Sequence, residues 1–245
     1  MKIALNGASG RMGMTIASLL SEGGVHEVVA RFDVDKPLLV EHEMDVMNEA
    51  DVVIDFSHPS VVMDHIHRYC LWGFNAVIGT TGWYGEMDKV RDWVEEGQIG
   101  LLYAPNFSMG VAMLVKALKA VLPTLEHLNE FDAYVHEWHH IGKVDSPSGT
   151  ALHLAQTILD GLSRKTHLAT EAQHGAIDLA ALHVTSTRVG HVFGEHYAGF
   201  DSPHENLLFR HQAKSRAVFA AGAIRAAEWL QDKNGLFTLE DVLGN

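Results

Sequence analysis

The sequence has one cysteine, Cys70, in 245 residues. A lone cysteine excludes an intrachain disulfide and any cysteine-rich zinc site. Its neighbours, His67-Arg68-Tyr69 and Leu71-Trp72, place it near the end of a packed helix as a buried, inert thiol. Basic residues are scarce as well: 18 Lys and Arg against 31 Asp and Glu leave a formal net charge of −13. Nonspecific binding to nucleic acid or to an anionic membrane needs basic patches, so neither partner is expected. No apolar run approaches the roughly 20 residues of a membrane span. The N-terminus enters a strand pattern directly, with no signal peptide, and a cytoplasmic location is the expectation. Internal repeats, low-complexity segments and flexible linkers are missing too. Histidine, by contrast, is abundant at 17 residues, so the net charge shrinks near pH 6. The length suffices for one large domain or two smaller ones with cores of their own.

The first strand pattern is Lys2-Ile3-Ala4-Leu5-Asn6. It runs into Gly7-Ala8-Ser9-Gly10-Arg11-Met12-Gly13 and then a helix from Met14 to Leu20. Strand, glycine-rich turn and helix are the context of a dinucleotide fingerprint, in which glycines let the backbone approach a pyrophosphate at a helix N-terminus. The match to G-x-G-x-x-G is imperfect, with Ala8 where the first glycine belongs and Gly7 one place earlier. A second strand, Val28 to Phe32, ends at Asp33, 20 residues after Gly13. An acidic residue there suits the ribose hydroxyls of an adenosine and favours NADH, since a 2′-phosphate would meet a carboxylate. Val34 follows instead of an arginine, which leaves Arg11 and Lys36 to offset that repulsion. Both cofactors are therefore expected to work, NADH the better.

Alternation continues through strands at 51–57, 76–78 and 99–104, with helices from Pro59 to Tyr69 and Glu86 to Glu96. Such alternation implies an α/β fold, a Rossmann-like doubly wound parallel sheet. Ligands of such sheets sit beyond the carboxyl ends of the strands, where Ser57-His58, Gly79-Thr80-Thr81 and Ala104-Pro105-Asn106-Phe107 fall. After a helix from Gly110 to Leu122 the pattern changes. Phe131 to Trp138 alternates as a strand does, and a helix runs to about Leu162. Residues 163–177 read as loop. Three strands, Leu182 to Val189, Val192 to Phe200 and Glu205 to His211, then follow without helices and suggest antiparallel pairing. These make a second α+β domain with a mixed or antiparallel sheet. A long helix, Arg216 to Gln231, and a short strand, Leu236 to Thr238, close the chain.

The densest chemistry lies in His139-His140-Ile141-Gly142-Lys143-Val144-Asp145-Ser146-Pro147-Ser148-Gly149-Thr150. It sets two imidazoles, an ammonium and a helix start within a dozen residues. Ser148 or Thr150 can cap that helix, whose outward N–H groups suit a carboxylate. The histidines can supply protons near neutral pH. The plainer alternative is a polar surface loop. His136-Glu137-Trp138-His139-His140 also matches H-E-x-x-H, the zinc-protease signature. That motif needs a helix, and in a strand residues four apart stand about 13 Å apart, too far to share a zinc. No metal is expected.

Five segments together carry a family resemblance: Gly7 to Gly13, Val53-Ile54-Asp55-Phe56-Ser57, Val77 to Gly82, Ala104 to Ser108 and, behind the His-His pair, Lys143 to Ala151. Over essentially its full length the chain resembles the dihydrodipicolinate reductases of diaminopimelate and lysine biosynthesis. The resemblance implies reduction of a cyclic dicarboxylate by a nicotinamide cofactor. It implies that Gly7, Ala8, Ser9, Gly10, Arg11, Met12, Asp33, Gly79, Thr80, Thr81, Ala104, Pro105, Asn106 and Phe107 bind NADH or NADPH. His139 is then the proton donor or acceptor and Lys143 a second donor, with His140, Ser148, Gly149 and Thr150 on the substrate. It further implies a homotetramer, with a dinucleotide-binding domain from 1–106 plus 216–245 and a substrate-binding and oligomerisation domain from 107–215. The chain departs from the family at Ile141-Gly142, where many members carry a basic residue and often a third histidine. Two alternatives stay open: another reductase of a small carboxylic acid, and a cofactor-binding redox sensor without catalysis.

Overall fold

The computed structural model describes residues 1–35, 38, 47 and 49–244; Lys36 lies outside the described residues. The chain forms two compact units, residues 1–109 with 216–245 and residues 110–215. None of the described helices is long and apolar enough to cross a membrane.

Among the described residues, the first unit carries a parallel sheet of six strands. They are β1 (Lys2–Asn6), β2 (Glu27–Phe32), β3 (Val52–Asp55), β4 (Ala76–Ile78), β5 (Gly100–Tyr103) and β11 (Gly235–Thr238), in the order β11-β5-β4-β3-β1-β2. The order reverses at β1, which pairs with β2 on one side and β3 on the other. Register sets the carboxyl ends level: Asn6 lies opposite Phe32 and Asp55, Asp55 opposite Ile78, and Ile78 opposite Tyr103. The loops after β1, β3, β4 and β5 therefore leave from one edge. Among the described connections are α1 (Arg11–Gly23), α2 (Val62–Trp72) and α3 (Met87–Gly97). Val53, Ile66, Tyr69, Trp83, Val90 and Leu101 are buried together in the core. Helix α2 starts later than the Pro59 expected from sequence. The His58 carbonyl accepts from Val61 N and Val62 N at 3.1 and 3.2 Å, so Pro59 sits in a turn before the helix.

The second unit carries α4 (Met109–Leu125), β6 (Asp132–His139), α5 (Gly149–Gly161), β7 (His167–Ala169), β8 (Ala181–Arg188), β9 (Glu195–Asp201) and β10 (Asn206–Gln212). Its sheet is mixed, in the order β10-β9-β6-β8-β7. Two expectations need correction. The stretch 163–177 contains β7, which pairs parallel with β8. Strands β8 and β9, expected to pair, instead flank β6, one parallel and one antiparallel. The loop between them passes over the end of β6: Val189 N donates to the His139 carbonyl at 2.9 Å and Ile141 N to the Gly190 carbonyl at 3.3 Å. That crossing carries the chain past β6 where a tight hairpin would have returned it beside β8. Helices α4 and α5 bury Leu118, Leu122, Leu154 and Ile158 with Val135, Leu182 and Phe200 of the sheet.

The chain returns to the first unit through α6 (Ala217–Leu230), and α7 (Leu239–Val242) follows β11. Helix α6 packs against the loop after β5 at Gly222, where an added Cβ would fall 1.7 Å from the Phe107 carbonyl oxygen. Backbone cannot yield as a flexible side chain would. Gly222→Ala is expected to destabilise the protein by about 1–3 kcal/mol, the range of overpacked sites. Urea denaturation measures it as a lower midpoint.

Candidate active site

Strand β6 alternates strictly. Ala133, Val135, Glu137 and His139 are buried on one face, and the two alanine and valine side chains lie in the core. The last two positions of this inward row are thus a carboxylate and an imidazole. Glu137 is fully buried, yet it is surrounded by donors. Its Oε1 accepts from Ser148 N at 2.9 Å, Ser186 Oγ at 2.8 Å and Arg188 Nη2 at 2.9 Å. Its Oε2 stands 2.8 Å from His139 Nδ1, an ion-pair distance without the alignment of a hydrogen bond. Burial pushes the Glu137 carboxyl up, but His139, Ser148, Arg188 and Ser186 outweigh it and hold it far below the usual carboxylate range. It is a fixed negative charge at the root of the imidazole.

On the other side of His139 stands His196, with ring centroids 5.1 Å apart. Its Nε2 lies 3.4 Å from Ser148 Oγ and 3.8 Å from Glu137 Oε2. Gly194 lies against the His139 ring. It has φ +149°, and a Cβ there would lie 3.0 Å from His139 Nε2. Sequence reasoning missed Glu137 as a partner, together with Arg188, Gly194 and His196. The sequence signal for Glu137 was the alternation itself, which places a carboxylate on the buried row two residues before His139.

Beyond β6, Lys143 N donates to the His140 carbonyl at 3.1 Å, which turns the loop. Lys143 Nζ meets both oxygens of Asp145 at 2.8 and 3.0 Å. Arg188 braces this loop from β8, donating to the carbonyls of Lys143 at 3.3 Å and Asp145 at 2.6 Å. Of the two candidate caps, Ser148 is the one used: its Oγ accepts from Ala151 N at 3.2 Å. Ser148 is therefore engaged at the cap, on Glu137 and with His196, and lies buried, while Gly149 and Thr150 open α5. His139, Lys143 and the start of α5 thus share one strand–loop–helix segment, with His140 at the strand end. The H-E-x-x-H motif lies on strand, not helix, and His136 turns to the opposite face, with Nδ1 2.6 Å from Thr185 Oγ1. Among the described residues, the group with metal-ligand proximity is Glu137, His139 and His196, within 4.8 Å of one another. Arg188 already compensates that carboxylate.

In the first unit, Gly7 has φ +76°, and a Cβ on it would lie 2.4 Å from the Phe56 carbonyl oxygen. At Gly13 a Cβ would lie 2.3 Å from the Gly7 carbonyl oxygen, so α1 needs glycine there to approach the turn. Gly10 has an ordinary extended φ of −68°. The turn is tied to β2: Gly7 N and Ala8 N donate to the Phe32 carbonyl at 3.0 and 3.1 Å. Asp33 accepts from Ser9 N at 2.7 Å and Val34 N at 2.8 Å. The bonds from Ser9, then Val34, keep it ionised below its ordinary range. Arg11, Met12 and Gly13 then head α1, where N–H groups have no intrahelical acceptor. Arg11 is exposed.

Asp55 organises the other loops of this edge. Fully buried, it accepts from Tyr69 OH at 2.7 Å, Asn6 Nδ2 at 3.2 Å, Ser57 N at 2.8 Å and Thr80 Oγ1 at 3.3 Å, with His65 Nδ1 3.2 Å away. Asn6 Oδ1 in turn accepts from Gly7 N at 3.1 Å. One carboxylate so links the glycine turn, the loop after β3 and Thr80. Gly79 packs over the Phe56 ring, Thr81 is exposed, and Ala104 and Phe107 are buried with Phe107 edge-on to Phe56 at 5.7 Å. Pro105 is exposed, and Asn106 Oδ1 accepts from Ser108 N at 2.8 Å. A charge closing an apolar strand, Val52-Val53-Ile54-Asp55, was the sequence signal for this residue.

Comparison with known proteins follows the same division. The family model "Dihydrodipicolinate reductase, N-terminus" matches residues 1–107, and "Dihydrodipicolinate reductase, C-terminus" matches residues 110–243. A 4-hydroxy-tetrahydrodipicolinate reductase of Chromobacterium violaceum is 38% identical over 265 residues, covering 99% of this chain and 98% of that protein. One from Christiangramia forsetii is 37% identical over 246 residues, covering 100% and 98%. The solved dipicolinate-bound dihydrodipicolinate reductase of Paenisporosarcina sp. TG-14 shares the fold, with a TM-score of 0.82 over 98% of each chain at 22% identity.

The buried pair beside His139 sets a pH dependence of stability. Burial, then the neighbouring His139, brings His196 down to about 3 from an ordinary 6.5. The unfolded chain takes up that proton near 6.5 while the folded chain does not. This share of stability is therefore full above 6.5 and is lost as pH falls from there toward about 3. In thermal melts the wild-type Tm is expected to fall steadily from pH 6.5 to 4. His196→Gln is expected to have a lower Tm at pH 7 and a flatter profile. A flat wild-type profile would mean that His196 protonates freely in the folded protein.

Proposed function

The chain belongs to the dihydrodipicolinate reductase family, and on that premise we propose how its residues share the family's reaction. That reaction is the NAD(P)H-dependent reduction of 4-hydroxy-tetrahydrodipicolinate to tetrahydrodipicolinate in diaminopimelate and lysine biosynthesis. The observation that carries the assignment of roles is the segment running from Glu137 and His139 through Lys143 to the capped start of α5. It offers an oriented imidazole, an ammonium and a helix N-terminus to one dianionic ligand.

Residues 1–106 with 216–245 act as the dinucleotide-binding domain, and 107–215 as the substrate-binding and oligomerisation domain. Gly7 and Gly13, where a Cβ would strike backbone, let the turn close tightly onto α1, whose first-turn N–H groups are suited to a pyrophosphate. Gly7, Ala8, Ser9, Gly10, Arg11 and Met12 surround it, with Asp33 on the adenosine ribose. Gly79, Thr80, Thr81 and Ala104, Pro105, Asn106, Phe107 line the remainder of the cofactor site. The bound nicotinamide supplies a hydride. His139 supplies the proton from Nε2, its Nδ1 edge being held by Glu137. Lys143 is a second proton donor and holds a substrate carboxylate, with His140, Gly149 and Thr150 completing the subsite. Ser148 belongs to it as the cap that aims the N–H groups of Gly149 and Thr150. A dicarboxylate ligand suits this set, and the Paenisporosarcina protein is one that binds dipicolinate. Lys143 and the start of α5 are what offer a dianion favourable charge on a protein whose net charge is −13. The functional form is a cytoplasmic homotetramer, and no metal takes part.

His139→Gln is expected to lower kcat by a factor on the order of 10² or more with little change in KM, as for loss of a general acid. Lys143→Ala is expected to damage both. Fluorescence titration of NADH is expected to give wild-type affinity in both variants, and a normal kcat in His139→Gln would remove that residue from the chemistry.

NADH is expected to exceed NADPH in kcat/KM by about tenfold, or about 1.4 kcal/mol. Paired cofactor titrations on Asp33→Ala are expected to narrow or reverse the preference, and Arg11→Ala to harm NADPH more than NADH. Activity is expected to survive exhaustive chelation; zinc lost together with activity would contradict the metal-free reading.

A further inference from the structure

Lys143 and the first turn of α5 are the groups assigned above to a substrate carboxylate, and the chain lays a carboxylate of its own on both. Asp145 approaches Lys143 Nζ with two oxygens, at 2.8 and 3.0 Å. The Gly149 backbone N–H, the first of α5, bears on the same carboxylate. Burial, the largest single influence, raises the Asp145 pKa, but Lys143 and the backbone N–H groups of Asp145 and Gly149 together outweigh it, so the group is an anion at neutral pH.

The backbone beneath does not depend on this contact. Arg188 holds the carbonyls of both Lys143 and Asp145, tying the loop to β8 whichever way the Asp145 side chain turns. The Asp145 side chain is 58% exposed and that of Lys143 24%. Rotating Asp145 into water therefore costs only what an exposed ion pair is worth, which is small.

Resting on the substrate reading above, we propose that Asp145 is an internal competitor for the substrate carboxylate. In the free protein it occupies the anion subsite formed by Lys143 and the α5 N-terminus, and it swings into solvent when the ligand's carboxylate enters. The exchange replaces one carboxylate by another, so the Lys143 ammonium keeps a partner throughout. Its consequence is an affinity set below what the subsite could reach: Asp145 raises the KM, and on product departure it refills the subsite.

The test is calorimetric titration of dipicolinate into the full-length protein saturated with NADH. Asp145→Asn keeps the shape and removes the charge, and it is expected to bind dipicolinate roughly two- to fivefold more tightly, with a matching fall in substrate KM. Asp145→Glu retains a competing carboxylate and is expected to lie nearer wild type. Asp160→Asn makes the same charge change at an exposed position of α5 and is expected to leave the affinity where it was. Unchanged or weaker binding in Asp145→Asn, or equal tightening in Asp160→Asn, overturns the competitor role while the reductase reading stands on wild-type turnover. A wild type that neither binds dipicolinate nor oxidises NADH with the substrate overturns both.

Discussion

The second unit depends on a charge that water cannot reach. Glu137 is fully buried at the end of β6, and an unpaired carboxylate there would cost several kcal/mol. Its compensation comes from four places at once: the backbone of Ser148, the hydroxyl of Ser186, the guanidinium of Arg188 and the ring of His139. These partners come from β8, from the start of α5 and from β6 itself, so satisfying the charge fixes where those pieces meet. The start of α5, the end of β8 and the end of β6 are located by one side chain. Ser148 transmits the constraint, since it donates to Glu137 through its backbone and caps α5 through its hydroxyl. The placement of the imidazole beside this carboxylate follows from the same arrangement and is not a separate device.

Asp55 does the corresponding work in the first unit. It too is fully buried, and its partners are drawn from β1, α2 and the loops after β3 and β4. A hydrophobic sheet positions strands but leaves the loops at its edge to themselves. A buried carboxylate that must be satisfied gathers those loops, because leaving any donor or acceptor unpaired in the interior is costly. In both units a buried anion therefore stands beside the residues proposed to meet a ligand. Glu137 and Asp55 need not touch a ligand to shape its site.

Much of this was legible in the residues. The glycine turn between Asn6 and Met14, the alternation of strands and helices to Ala104, and the change of pattern after Leu122 all report local periodicity, which the backbone obeys directly. The strand reading of Phe131 to Trp138 was enough to dismiss H-E-x-x-H, because an extended rise of about 3.3 Å per residue sets His136 and His140 far apart. Strand β7 escaped notice because three residues, His167 to Ala169, carry no period long enough to see. The pairing of β8 and β9 was misjudged for another reason: proximity in sequence favours a hairpin, whereas the loop at 189–194 bonds to the end of β6 and passes over it.

The sequence by itself determined the longer elements, the fold class and the concentration of imidazole, ammonium and helix start between His139 and Thr150. These are properties of neighbours in the chain, written in spacing and residue type. Only the tertiary structure decided which groups stand behind them. Arg188 and His196 reach Glu137 from 51 and 59 positions away, and Asn6 reaches Asp55 from 49. The choice of Ser148 over Thr150 as the cap is equally a tertiary matter, since Ser148 is the residue whose backbone also answers the buried carboxylate. Local pattern encodes where a charge lies along a strand, but its partners are set by strand order and register, and these emerge only when the sheet is assembled and water is excluded from its core.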